Sequence, residues 1–287
     1  MKVALVGSTG YIAEYILKRF ADDSEIETCL KLDRNEKADA YIDLQEPEIF
    51  NYDLLNDIDY IVFTAAISGP DKCATDFDNC WNINVDGTSY FIRKALNKKC
   101  RVLFFSSDAV FGDIAGRIYD EESETKAVTP YGRMKKAVED EFKKDPFFKA
   151  IRLSYVASAK DRFMTYCLNC AKNGEIADVF HPFYRNATVV SDVVEVVMYF
   201  AKKWDEFDHV FLNVACKELV SRVRMADELN RIIEGKLKYT ISMPGQEFFT
   251  NRPRITQMRS LYMQQYKILP DNTFTEKIQK ELEAVEL

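Results

Sequence analysis

Histidine is scarce in this 287-residue chain, which has only His181 and His209. The seven cysteines, Cys29, Cys73, Cys80, Cys100, Cys167, Cys170 and Cys216, are an odd number at irregular spacing. Cys167 and Cys170 form a CxxC, but no second pair stands at zinc-site distance and the histidines do not complete a cluster. No metal centre is expected, and the thiols read as reduced and structural, in a cytosolic setting. The chain also lacks any apolar run near the ~18 residues that a bilayer span requires. Its opening, MKVALVGSTG, has no long apolar stretch and no small-residue cleavage site, so it reads as a first strand rather than a signal peptide. No block of Lys and Arg interrupts a formal net charge of -7, which argues against nucleic acid as a partner. Internal repeats, low-complexity stretches and Pro/Gly linkers are absent as well. A cytoplasmic protein without membrane contact is the expectation.

What the chain does have is an ordinary globular balance, with 47% hydrophobic and 30% charged residues. Its length suits one large α/β domain or a domain with a smaller lobe. Short apolar runs at 3–7, Ile26–Leu32, Tyr60–Thr64, Val102–Ser106 and Lys149–Val156 read as strands. Tyr11–Phe20, Cys80–Leu96 and Tyr131–Lys143 carry helical apolar spacing. That alternation predicts a parallel sheet covered on both sides. Beyond Val156 the pattern loosens, and residues 157–190 have mixed character. Ser191–Lys202 and Ser221–Ile233 read as helices with Ser start signals, Phe211–Val214 as a strand, and 270–287 as a charged helix. The predicted division is a sheet domain over 1–156 and a smaller lobe, mainly 157–287, with some segments returning to the sheet domain.

Gly7-Ser8-Thr9-Gly10-Tyr11-Ile12-Ala13 links the first strand to the first helix. A tight strand-to-helix turn needs glycine where φ is positive or where backbone must meet a pyrophosphate, and the helix amides then face the phosphates. Asp33 ends the second strand, where a carboxylate would accept hydrogen bonds from an adenosine ribose. That charge disfavours a 2′-phosphate and points to NAD; Arg34, whose guanidinium could pair with such a phosphate, keeps NADP open. Asp43 and Leu44, after another short apolar stretch, are candidates to meet the adenine.

Tyr131 and Lys135 stand four positions apart, on one face of a helix. A phenol of pKa about 10 is a poor base at neutral pH, and a nearby ammonium favours its ionised form. Ser107, ending the Val102–Ser106 run, would hydrogen-bond a substrate oxygen and hold it toward Tyr131. All three fall at the carboxyl edge of the predicted sheet, where open α/β sheets bind ligands. Such a set suits hydride transfer at a carbinol or carbonyl carbon.

Together with Thr64-Ala65-Ala66, Asn84-Val85-Asp86-Gly87-Thr88, Ser106–Gly112 (SSDAVFG), Arg185–Asp192 (RNATVVSD) and Asn251-Arg252-Pro253, these segments resemble the extended short-chain dehydrogenase/reductases of the NAD-dependent epimerase/dehydratase type. The likeness runs through nearly the whole chain and is strongest to the dTDP-4-dehydrorhamnose reductase branch. It implies a Rossmann-type doubly wound sheet with a smaller α+β substrate lobe, and a nucleotide-activated sugar as substrate. It implies dinucleotide contacts from Gly7, Thr9, Gly10, Tyr11, Ile12, Asp33, Arg34, Asp43, Leu44, Ala65, Ala66, Ser106, Tyr131 and Lys135. Asn84, Asp108, Arg185 and Arg252 are assigned to the substrate. Ala109 stands where the dehydratases usually carry glutamate, which removes the expected base for water elimination. Three readings follow: a 4-keto reductase, a 4-epimerase with tightly held NAD, and a non-catalytic regulatory subunit that kept the fold. The resemblance also implies a homodimer through helices around Asn84–Leu96 and Tyr131–Lys143.

Overall fold

The structure, a computed structural model, describes residues 1–112, 114 and 116–285. The chain separates into two compact units, and the division interleaves rather than cutting once near residue 156. The first holds Met1–Gly112, Glu124–Arg152 and Val196–Leu212; the second holds Asp113–Ser123, Leu153–Glu195 and Asn213–Leu287.

A seven-stranded sheet forms the first unit. Strands β1 (Lys2–Val6), β2 (Thr28–Asp33), β3 (Ala40–Tyr41), β4 (Tyr60–Phe63) and β5 (Arg101–Ser107) lie in the order β3-β2-β1-β4-β5, followed by Phe148–Leu153 and Phe211–Val214. β1 pairs in parallel with both β2 and β4, aligning Val6 with Leu32 and with Phe63. The chain thus moves outward from β1 to β3, then crosses back to β4 on the other side. Such a reversal leaves a crevice at the carboxyl ends of the strands. β4 and the middle of β5 are buried throughout, as strands covered on both faces must be.

The core of this unit is a chain of phenylalanines from strands and helices. Phe63 contacts Phe91 and Phe104, Phe104 contacts Phe148, and Phe148 contacts Phe142, with ring centroids 5.5–6.1 Å apart. Each fully buried ring contributes about 1.5–3 kcal/mol. The returning segment is tied in by specific bonds: the Tyr60 hydroxyl donates to the Val197 carbonyl at 3.1 Å, and Lys149 Nζ to the His209 carbonyl at 3.0 Å.

The second unit has its own core, centred on three helices, Arg162–Asn173, Arg222–Ile232 and Phe274–Glu281. The first of these lies in the stretch whose pattern was mixed. Its signals are local: Asp161 caps it, accepting from the amides of Phe163 and Met164, and Gly174 closes it in the left-handed region at φ 71°. Cys167 and Cys170 face this core and are buried free thiols, so the CxxC serves packing. The tail helix is shorter than the charge pattern implied, starting at a Thr273/Glu276 capping box, and residues 286–287 lie outside the described ones. Glu121 is buried and accepts from Asn213 N, Ser260 Oγ and Leu261 N, which holds residues 116–123 within this unit. Among the described residues no helix is long and apolar enough to cross a membrane.

Asp161 also accepts from Ser158 N and from the Tyr155 hydroxyl, so several donors depend on one carboxylate. Asp161→Ala should therefore lower stability by about 2 kcal/mol or more, above an ordinary cap loss of ~1 kcal/mol. Asp161→Asn, which keeps an acceptor, should lose less. Thermal and urea unfolding of both variants would show it, and equal losses would count against the cap as the cause.

Candidate active site

At the first strand–helix turn, Gly7 adopts φ 84°, and a Cβ there would stand 2.7 Å from Ala65 N and 2.8 Å from Thr64 Oγ1. No larger residue fits. The turn is closed by Gly10 N donating to Gly7 O at 3.1 Å. The helix Tyr11–Ala21 then starts on Gly10 without a side-chain cap, whereas Thr129, Asp161, Ser221 and Thr273 each cap theirs. Ser8 Oγ is buried in the turn with no hydrogen-bond partner. An uncapped helix start beside an orphaned hydroxyl fits a bound anion such as a pyrophosphate.

Asp33 sits at the end of β2 beside this turn. Its carboxylate accepts from Thr9 N at 3.0 Å, Thr9 Oγ1 at 2.9 Å and Arg34 N at 2.7 Å. Arg34 reaches Asp43, 3.8 Å away, with most of its side chain in solvent. Asp43 also accepts from Gln45 N and the Tyr41 hydroxyl. Tyr11 is exposed, Ile12, Ala65 and Ala66 are half-buried, and Leu44 belongs to the core.

Ser107 ends β5 and caps a short turn over Asp108–Val110: its Oγ accepts from Ala109 N and donates to Asp108 Oδ1, both at 3.2 Å. The helix Pro130–Phe142 begins against the same turn. Thr129 caps it by accepting from Gly132 N at 3.2 Å, and Pro130 supplies a first position that needs no donor. Any Cβ on Gly132 would lie inside van der Waals contact with the Ala109 carbonyl oxygen. The missing side chain between Tyr131 and Lys135 is what seats the helix on the turn that follows Ser107.

Lys135 is 2% exposed; its Nζ donates to the Phe105 carbonyl at 2.7 Å and lies 4.4 Å from the Phe104 ring centre and 5.8 Å from that of Tyr131. Burial pushes its pKa down to about 7, against the attraction of Glu139 and Cys73. Burial pushes the Tyr131 phenol up, helped by the thiol of Cys73 and the carboxylate of Asp108. The expectation of a phenol acidified by its neighbour is thus reversed in the protein alone, because desolvation penalises both charged forms more than the pair attracts.

Several assigned residues turn elsewhere. Ser106 faces inward and donates to Glu139 at 2.6 Å, as strand alternation beside Ser107 requires. Asn84 is 2% exposed, and its amide accepts from Ile67 N at 2.8 Å and donates to Ile67 O at 2.9 Å, clamping the loop after β4. In the second unit, Arg185 is buried and donates to the carbonyls of Tyr184, Arg254 and Pro253. Arg252 donates to the Phe248 carbonyl and lies over that ring, 4.8 Å from its centre. Arg222, which no motif marks, lies over Phe183 and Phe163 at 4.8 and 5.2 Å, with Nε buried and unpartnered. Glu139 and Arg152, also unmarked, form a buried ion pair at 2.8 Å. The helical spacing Tyr131, Lys135, Glu139 was the available signal for the first of them.

Three solved structures show how far the likeness extends. A dTDP-4-dehydrorhamnose reductase from Clostridium acetobutylicum is 21% identical, with TM-score 0.80 and 99% of each chain covered. One from Bacillus anthracis, in complex with NADP, is 17% identical, with TM-score 0.83 and 99% of each chain covered. A UDP-glucose 4-epimerase from Thermotoga maritima with UDP-glucose is 13% identical, with TM-score 0.81, covering 99% of this chain and 98% of that one. At these identities the likeness is one of fold. No curated protein matches the sequence. The family model described as RmlD substrate binding domain matches residues 1–287, from the glycine turn to the end of the second unit, and the chain belongs to that family.

Proposed function

We propose that this chain is an NAD(P)-dependent oxidoreductase that reduces a keto carbon of a nucleotide-activated sugar. The observation that carries the reading is the seating of the Tyr131–Lys135 helix on the turn after Ser107, at the sheet edge that also holds the Gly7 turn and Asp33. When bound there, a nicotinamide dinucleotide supplies or accepts the hydride. Gly7, Thr9, Gly10 and the opening of the Tyr11–Ala21 helix would hold its pyrophosphate, and Asp33 its adenosine ribose. Asp33 favours NAD, and the solvent-exposed Arg34 is the group that would accept a 2′-phosphate if Asp33 were lost.

Ser107 would donate to the substrate oxygen and Tyr131 would give its proton there as charge develops. Burial keeps the resting phenol protonated, which is the form a reduction consumes. An epimerase needs the phenolate first, and burial works against it. What favours the reductase over the 4-epimerase is the family match along the whole chain and the likeness to dTDP-4-dehydrorhamnose reductases. Of the arginines expected at the substrate, Arg252 is the one we assign to its anionic part; Arg185 secures the segment around Pro253. Asn84 acts by holding the Ala65–Ile67 loop.

The helices flanking the site carry a recess of about 530 Å³ on the first unit, lined by Phe77, Asp78, Trp81, Asp86 and Arg133. We assign self-association into a homodimer to this face, and a cytoplasmic location fits the seven unpaired thiols.

Replacing Tyr131 by Phe should leave dinucleotide binding intact, read by NADH or NADPH fluorescence, while turnover of a 4-keto-sugar nucleotide falls at least ~10²-fold. Turnover near that of the wild type would overturn the acid role. In Asp33→Ser the affinity ratio of NADPH to NADH should rise about tenfold, equivalent to ~1.4 kcal/mol; an unchanged ratio would detach Asp33 from cofactor choice. Protein that carries stoichiometric NAD and interconverts sugar epimers without added cofactor would favour the epimerase instead.

A further inference from the structure

Behind Lys135 the first unit encloses a second charged group that the proposed chemistry does not use. Glu139 lies one helical turn beyond Lys135 and is 2% exposed, as is Arg152. Arg152 Nε donates to Glu139 Oε1 at 3.0 Å and Nη2 to Oε2 at 2.8 Å. Ser106 Oγ donates to Oε1 at 2.6 Å. The guanidinium is sandwiched by Phe211 and Phe111, 4.1 and 5.0 Å from its central carbon, and its Nη1 is buried with no partner. Two ions removed from water to this degree are costly, and replacement by apolar residues is often neutral or stabilising. Such a pair is weak evidence for a purely structural purpose.

Position separates the two partners. Glu139 shares a helical face with Lys135 and Tyr131, whereas its guanidinium partner stands on the strand Phe148–Leu153. Other groups bearing on Lys135 are the Tyr131 phenol on its own helix, the Phe105 carbonyl on β5 and the Cys73 thiol of Pro70–Thr75. Of the two acids among them, the thiol is itself pushed up to about 12 by burial and is uncharged at neutral pH. Glu139 is the standing negative charge in this set.

We propose that Glu139 is a positioning residue for the reaction assigned above: it holds Lys135 in the ammonium form and, through Ser106, fixes the strand that presents Ser107. Arg152 is the guanidinium that pairs with Glu139, at 2.8 Å. The carboxylate opposes the burial that has brought Lys135 down to about 7, so its loss lowers the amine further. The inference rests on the proposed role of Lys135, but its electrostatic core is testable without any turnover.

The measurement is an NMR titration of ¹³C-labelled lysine side chains in the cofactor-free protein, with the Lys135 signal assigned by its loss in Lys135→Met. Wild type should show Lys135 titrating near 7. In Glu139→Gln its midpoint should fall by about one unit, the smaller end of the effect of a nearby opposite charge. Glu139→Gln leaves Arg152 buried and alone, so Glu139→Gln/Arg152→Met is the companion variant, with the pair replaced as a whole. Glu139→Asp, which keeps the charge, should titrate close to wild type. A folded Glu139→Gln or double variant whose Lys135 midpoint is unmoved would overturn the proposal and leave the pair as packing. That result is separate from a failure of Tyr131→Phe, which concerns the reaction and not the lysine's charge.

Discussion

Lys135 carries an ammonium into a place where water reaches almost none of it, and much of the neighbouring structure answers that one cost. The Phe105 carbonyl accepts a hydrogen bond from it, the Phe104 ring faces it, and Glu139 supplies opposite charge one turn along. Nothing in the group's own chemistry favours the position. An exposed lysine on the same helix would be more stable and would keep its full charge. Strained electrostatics retained at the carboxyl edge of a parallel sheet are a mark of function.

β5 shows how little chain is needed to meet these demands. Three consecutive residues do separate work: Phe105 accepts from Lys135 through its carbonyl, Ser106 points inward to Glu139, and Ser107 points outward to the turn. Alternation along a strand makes the last two diverge without any special backbone. Gly132 then lets the helix approach the turn closely enough for Tyr131 to share it. A single extra carbon at that position would push the helix off the Ala109 carbonyl.

The same physics explains what could be read in advance. Strands β1, β2, β4 and β5 and the helices between them were legible, because periodicity and a glycine turn are local signals. The glycine turn, Asp33 and the Tyr131–Lys135 face were legible for the same reason. The protein partners of Ser106, Asn84 and Arg185 were not legible, since they lie 33, 17 and 68 positions away. Which segments return to the sheet unit was hidden likewise. Glu121 gathers Asn213, Ser260 and Leu261, and Tyr60 finds Val197, through contacts that no window of sequence contains. Arg222 shows the opposite failure: nothing near it in sequence marks it, and only the clustering of Phe163, Phe180, Phe183 and Phe248 around its guanidinium brings it to notice.

Burial also gives the site a direction. Desolvation disfavours the phenolate of Tyr131 and the ammonium of Lys135 alike, so it stores the pair with the proton on oxygen. A protonated phenol is the form that donates to a carbonyl gaining negative charge. The reverse reaction would require the ammonium to be held charged so that it could pull the phenol down. Any group that raises the charge on Lys135 therefore adjusts the balance between donating and abstracting. Glu139 is built into the helix one turn beyond Lys135, where a carboxylate opposes the effect of burial on the amine.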